Sequence, residues 1–163
     1  MKRKQIILNK KEINNKINRI SFSIIEDYHK KELITLIGFE KNGYIIAKKI
    51  KESIHKEHDV KISLHNIKYV KNLNYKVTPP LNQETSKHIF LVDDVLKSVK
   101  TIIHGIKDIL NKNILSLKTI ILVNRNHNQF PIGVDYVGLN LSTTLQDHIE
   151  VIFEKNQEIV YLM

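Results

Sequence analysis

Apolar residues recur along this chain in two rhythms, and the changes between them mark its elements. Ile13, Ile17, Ile20, Ile24 and Ile25 recur at spacings that put them on one face of an amphipathic helix. Asn9 and Glu12 stand at capping-box positions ahead of that face, with Leu8 and Ile13 placed as a hydrophobic staple. The run "LITLIG", Leu33 to Gly38, is short and unbroken, as expected of a buried strand. "FEKNG" then reads as a loop, and Ile46, Ile50 and Ile54 form the apolar stripe of a second helix. In "DVKISLH", Val60, Ile62 and Leu64 alternate with polar residues, the pattern of a half-buried strand.

The rhythm is lost from Lys68 to Lys87, where Asn, Lys, Thr and the pair Pro79–Pro80 predict a long loop. It returns as the strand "HIFLV", His88 to Val92, followed by a helix carrying Ile102, Ile103, Ile106, Ile109 and Leu110. "TIILV", Thr119 to Val123, is another buried strand, "NRNHNQFPIG" a polar loop, and "VDYVGL" a further strand. "IEVIF" and "IVYL" around "EKNQE" predict a closing hairpin. A leading helix, then strand and helix in alternation, then a strand-rich tail indicates an α/β fold with a mostly parallel sheet. With no internal repeat and no linker, residues 1–163 are expected to form one domain.

Composition narrows the classes of function. A chain of 163 residues can bury a core, and a hydrophobic fraction of 42% is ordinary for a globular protein. No apolar run approaches a membrane span, and Ile6, Ile7 and Leu8 are too brief for a secretory signal. A cytoplasmic protein is therefore expected. There are no cysteines, which excludes disulfides and thiolate metal sites, and the eight histidines show no HxxxH-type spacing, so no dedicated metal site is expected. A net charge of +9 suits an anionic partner such as RNA, DNA or a phosphorylated metabolite, but equally a solvated lysine-rich surface. No RNP-type aromatic motif, zinc-finger spacing or helix-turn-helix pattern accompanies the charge.

The candidate chemistry lies in "LVDDVLKSVKT", Leu91 to Thr101. An apolar run ends in two carboxylates, Asp93 and Asp94, and a short loop leads to a helix start. Ligands of open α/β sheets bind at such carboxyl ends of strands. Free N–H groups opening a helix can receive an anion, and paired acids can hold ribose hydroxyls. Acids also favour helix starts as caps, so the dipeptide alone decides nothing.

Its neighbours make the pattern specific. A hydrophobic strand followed by Asp93, Asp94, Val95, Leu96, Lys97, Ser98, Val99, Lys100 and Thr101 resembles the D-D-x-x-x-T-G-x-T motif of type I phosphoribosyltransferases, which bind phosphoribosyl pyrophosphate (PRPP). Val99 stands where that motif has glycine. The loop "IGFEKNG", Ile37 to Gly43, and the block "LVNRNHNQFPIGVDYVGLNLSTT", Leu122 to Thr144, extend the resemblance over nearly the whole chain. They are similar to the branch of bifunctional pyrimidine-operon attenuators and uracil phosphoribosyltransferases. In that block Arg125, His127, Pro131, Ile132, Asp135, Tyr136, Val137, Gly138 and Asn140 stand at matching places.

The resemblance implies the type I phosphoribosyltransferase fold, with a small strand-rich C-terminal hood. It implies that Asp93 and Asp94 bind the ribose hydroxyls, that Lys97, Ser98, Val99, Lys100 and Thr101 wrap the 5′-phosphate, and that Lys41, Asn42 and Gly43 receive pyrophosphate. It gives Arg125 and His127 to the base, Mg²⁺ to the pyrophosphate, and a homodimer as the assembly, with RNA as a further partner of that branch. The departures cluster at the ligand loops. Besides Val99, which is expected to distort or narrow the phosphate loop, Glu40 replaces a lysine and Asn42 a basic residue. Asn66 falls where a basic group is expected, Asn124, Asn126 and Asn128 replace Asp, Gly and Arg, and Leu139 replaces Lys. Three readings stay open: an active phosphoribosyltransferase acting on a pyrimidine, a nucleotide-binding relative or RNA-binding regulator without efficient transfer, and a structural descendant.

Overall fold

The structure is a computed structural model describing residues 4–30, 33–72, 74–96, 99–125, 133–142 and 147–163, with residues 99–101 and 108 described by backbone alone. A short strand, β1 (Gln5–Leu8), precedes helix α1 (Lys10–Tyr28), so the chain opens with a strand rather than a helix. The α1 N-terminus forms as its sequence dictates: Glu12 N–H donates to Asn9 Oδ1 at 3.0 Å, and Asn9 N–H donates to Glu12 Oε2 at 2.8 Å. Strand β2 (Leu33–Phe39), helix α2 (Asn42–Glu57) and strand β3 (Lys61–Lys71) follow, then β4 (Asn74–Thr78), β5 (His88–Leu96) and helix α3 (Val99–Leu110). Strands β6 (Ser116–Asn124), β7 (Tyr136–Asn140), β8 (Ile149–Glu154) and β9 (Gln157–Leu162) complete the described elements.

Six strands form the main sheet in the order β4-β3-β2-β5-β6-β7, parallel except for β4 against β3. Strand order reverses between β2 and β5, because β2 leads through α2 to β3 on one side and β5 through α3 to β6 on the other. That switch point is where open α/β sheets form their crevice. β1, β9 and β8 make a separate antiparallel sheet, the hood.

The core divides along the two faces of the main sheet. Ile34, Leu36, Phe90 and Val92 join the cluster of α1 and α2, which also holds Ile149, Val151 and Val160 of the hood. Ile37, Ile89 and Leu91 join the cluster of Ile102 and Ile109 on α3. Such burial on both faces accounts for the unbroken apolar runs of β2, β5 and β6.

Further boundaries differ from the sequence reading. The expected loop from Lys68 to Lys87 contains the end of β3 and all of β4, paired as an antiparallel ribbon with Tyr69 opposite Tyr75 and Lys68 opposite Lys76. Most of its side chains are exposed from Lys68 onward, so no apolar alternation announced the strands. "FEKNG" is a loop only at Glu40 and Lys41, since Phe39 ends β2 and Asn42 starts α2. β5 continues through the acid pair to Leu96, with Val95 opposite Val123 and Leu96 opposite Asn124. Beyond β4 the chain is tied back by His65, buried in β3: its Nδ1 lies 2.6 Å from the Pro79 carbonyl and its Nε2 2.7 Å from Ser63 Oγ. A carbonyl only accepts, so Nδ1 carries the hydrogen of that contact.

Two residues of the block used above for resemblance act at the start of β7, where Tyr136 stands opposite Ile120 of β6. Asp135 accepts from Thr119 N–H at 2.9 Å and pairs with Lys118 at 2.9 Å. The Tyr136 hydroxyl donates to Asp27 Oδ2 at 2.7 Å. Burial first, then the hydrogen bond to Asp27, push the Tyr136 phenol well above its usual range.

Two predictions follow from these contacts. Replacing Asn9 by Ala removes the acceptor for Glu12 N–H and should cost about 1 kcal/mol, read as a lower denaturant midpoint at unchanged slope. Because the folded Tyr136 titrates above the unfolded phenol, its contribution is intact below about pH 10 and is lost as pH rises through the folded value. Stability should therefore fall above about pH 10, and Tyr136→Phe should flatten part of that fall in alkaline denaturation curves.

Candidate active site

The switch point brings together three chain segments that are distant in sequence: the turn from β2 into α2, the acid pair of β5, and the ends of β6 and β7. The first is made possible by two glycines. A Cβ on Gly38 would overlap the backbone of Tyr44, and a Cβ on Gly43 would overlap the carbonyl of Val92. The first turn of α2 therefore lies directly against β5, one residue before Asp93.

Asn42, the first residue of α2, uses that proximity. Its Nδ2 donates to Asp94 Oδ2 at 2.7 Å and to the Val151 carbonyl of the hood at 2.9 Å. Asp94 Oδ1 accepts from Val95 N–H at 2.7 Å, and Asp93 Oδ1 accepts from Asp94 N–H at 2.9 Å. Both carboxylates are half-buried. A carboxylate has about four lone-pair sites, so each keeps acceptor capacity for hydroxyl groups.

Helix starts add a positive field. Lys41 precedes α2 without a side-chain cap bond, and no acid lies in its first turn, in contrast to α1. A helix start of this kind, with no cap side chain from Lys41, carries partial positive charge beside the acid pair. The Glu40–Lys41 peptide is cis. Glu40 does not act alone on this loop: Lys68 of β3 pairs with it at 2.9 Å, and Glu40 N–H donates to the Ile67 carbonyl at 3.0 Å. Sequence reasoning missed Lys68, because only the β2–β3 pairing brings that residue alongside.

The structure places the remaining candidates unevenly. Val99, Lys100 and Thr101 are the first residues of α3, so the position of the motif's glycine has helical backbone. Valine accepts that conformation, in contrast to one with positive φ. Lys97, Ser98 and His127 lie outside the described residues, as do Asn126 and Asn128. Asn66 sits opposite Gly38 in register, with its Oδ1 buried and unpartnered, an acceptor where a cation was expected. Asn124, at the end of β6, donates from Nδ2 to Asn140 Oδ1 of β7 at 3.0 Å, and Arg125 follows it, half-buried. Leu139 packs against the core.

Among the described residues no group of three or more His, Asp and Glu side chains could hold a metal ion. The two carboxylates supply the hard oxygen donors that suit Mg²⁺, as partners of an ion carried largely by substrate phosphates and water. A separate cleft of about 720 Å³ lies toward the other end of the strands, lined by Asn82, Gln83, Lys87, Asn111 and Lys112 among others, with no carboxylate in its wall.

Comparison with known proteins agrees with this geometry. The family model described as phosphoribosyl transferase domain matches residues 4–154, which include both loops and the acid pair. The bifunctional protein PyrR of Clostridium kluyveri is 33% identical over 162 residues, spanning 93% of this chain and 91% of that protein. The protein of the same name from Fusobacterium nucleatum is 31% identical, spanning 97% of each. Among solved structures, the hypoxanthine phosphoribosyltransferase of Trypanosoma cruzi superposes with a TM-score of 0.72 at 19% identity, over 84% of this chain and 81% of that one, a likeness of fold. With its mostly parallel sheet, strand-rich hood and acid pair at the switch point, the chain belongs to the phosphoribosyltransferase family.

Proposed function

We propose that this protein binds PRPP or a nucleotide phosphate at the switch point, with weak or lost transfer of phosphoribose to a pyrimidine base. One observation carries the reading: the uncapped start of α2 lies against the Asp93–Asp94 pair, with the start of α3 three residues beyond β5. Asp93 and Asp94 would accept the ribose hydroxyls. The N–H groups at residues 99–101, with Lys97, Ser98, Lys100 and Thr101, would hold the 5′-phosphate. Lys41, Asn42 and Gly43 would face the pyrophosphate, and Arg125 with His127 the base.

Mg²⁺, when bound with the substrate, would neutralise pyrophosphate charge. The chain's own part is to position the ribose between fixed carboxylates and to supply N–H dipoles where anionic charge sits. The reading of weak transfer rests on charge. The loop beside the pyrophosphate side carries Glu40 tied to Lys68 and a neutral Asn42. It thus offers less cationic stabilisation to a departing pyrophosphate than the basic loop of the resembled family. A homodimer within the cytoplasm is the expected setting.

A second reading has its own support in the net charge of +9 and the PyrR relatives. In it the protein is a nucleotide-responsive, RNA-binding regulator of pyrimidine genes. The two readings share the nucleotide site and differ in the output.

Calorimetry tests the site. PRPP with Mg²⁺ should give saturable binding below about 1 mM, lost in Asp94→Asn, and no heat at that concentration would overturn the proposal. Val99→Gly should change affinity by less than about threefold if the helical start of α3 already accommodates valine. A large gain would instead identify Val99 as the lesion. For the second reading, affinity for a pyrimidine-leader RNA should drop by about 10³-fold or more between roughly 50 and 200 mM salt, and a flat response counts against it.

A further inference from the structure

Asn42 stands where the resembled family carries a basic residue, and its loss of charge is only half of what the structure shows. A single side-chain nitrogen spends both of its hydrogens on groups remote in sequence. One goes to the Asp94 carboxylate at 2.7 Å and the other to the Val151 carbonyl of β8 at 2.9 Å. An arginine or lysine could reach a phosphate from this position, but it would release that planar, two-armed clamp. The amide nitrogen has two hydrogens in a fixed plane, which suits two acceptors at once.

We propose that Asn42 is a positioning residue that fixes the Asp94 carboxylate and the hood strand β8 to each other. The acid on the ribose side and the sheet over the site then move as one unit. This rests on the nucleotide reading above for the role of Asp94, but the mechanical coupling stands on the two hydrogen bonds alone. Orientation of Asp94 is otherwise left to Val95 N–H, which binds Oδ1 and leaves Oδ2 to Asn42.

The hood has a second tether nearby. Lys49, on the same helix, pairs with Glu158 of β9 at 2.8 Å, both side chains largely sheltered. This pair does not touch Asp94 in the structure, so it provides a control that loosens the hood without releasing the acid. Asn42 is thus separable into its two contacts by comparing the two tethers.

The test combines hydrogen exchange on the free protein with calorimetry using uridine 5′-monophosphate as the probe. Asn42→Leu should speed exchange in residues 149–154 and weaken the nucleotide about tenfold, whereas Lys49→Met should speed hood exchange with affinity unchanged within about twofold. If Asn42→Leu fails to fold, Asn42→Ser, with a single donor, should show the same changes to a smaller degree. Unchanged exchange in 149–154 overturns the coupling. A loosened hood with unaltered nucleotide affinity, or an equal loss in Lys49→Met, overturns the positioning role and leaves Asn42 a structural clip. If the parent binds no uridine 5′-monophosphate, the nucleotide reading fails, while exchange in the free protein still decides the coupling.

Discussion

Everything at the switch point depends on how closely the first turn of α2 can approach β5. Gly38 of β2 leaves room for the Tyr44 backbone of that turn, and Gly43 within the turn leaves room for the Val92 carbonyl of β5. Any larger residue would force one of these backbones to move, and backbone cannot rotate aside as a long side chain can. The approach sets the reach of Asn42, which is short. A displacement of about 1 Å would stretch the 2.7 Å contact to Asp94 beyond good hydrogen-bond geometry. The glycines thus have a role beyond turn-making: they determine whether three remote segments form one site.

That compactness also organises the electrostatics. The acid pair is half-buried, and carboxylates in such a place are costly unless donors meet them. Three are seen among the described residues: Asp94 N–H to Asp93, Val95 N–H and Asn42 to Asp94. The α2 start adds its partial positive charge. None of these three donors is a formal cation. The ion pair of Glu40 with Lys68 on the adjoining loop is half-exposed, so it neutralises Glu40 more than it stabilises the fold.

Much of the frame could be read from the chain because burial imprints on sequence. The isoleucines of α1 and α2 and the solid apolar runs of β2, β5 and β6 are each forced by what they pack against. The Asn9–Glu12 box was legible for the same local reason. The β3–β4 ribbon was not, since its strands are held by ladder hydrogen bonds while most of their side chains face solvent, and backbone pairing leaves no apolar signature. β1 was hidden by length: its pairing with β9 joins the two ends of the chain, Gln5 opposite Leu162. In the site, the acid pair and the glycine loop were visible as a pattern. Lys68 and the Val151 carbonyl were not, because the first is recruited by sheet register and the second is a backbone atom with no residue identity to read.

The structure also moves the weight of doubt about the site. Val99 looked like the chief obstacle, on the argument that a motif glycine implies a backbone valine cannot adopt. The chain answers by starting α3 at that residue, in a conformation open to any L-residue apart from a modest propensity cost. The first loop has no such escape. Its changes are changes of charge, from basic groups to Asn42 and Glu40, and no adjustment of φ and ψ restores a missing cation. Lys68 cancels Glu40 but is occupied in doing so. In the proposed reading, binding of ribose and 5′-phosphate would call on the acids and the α3 start, whereas expulsion of pyrophosphate would call on the loop that was altered. Binding and transfer can thus part company here for a physical reason, and the division falls between β5 and α2 rather than within the phosphate motif.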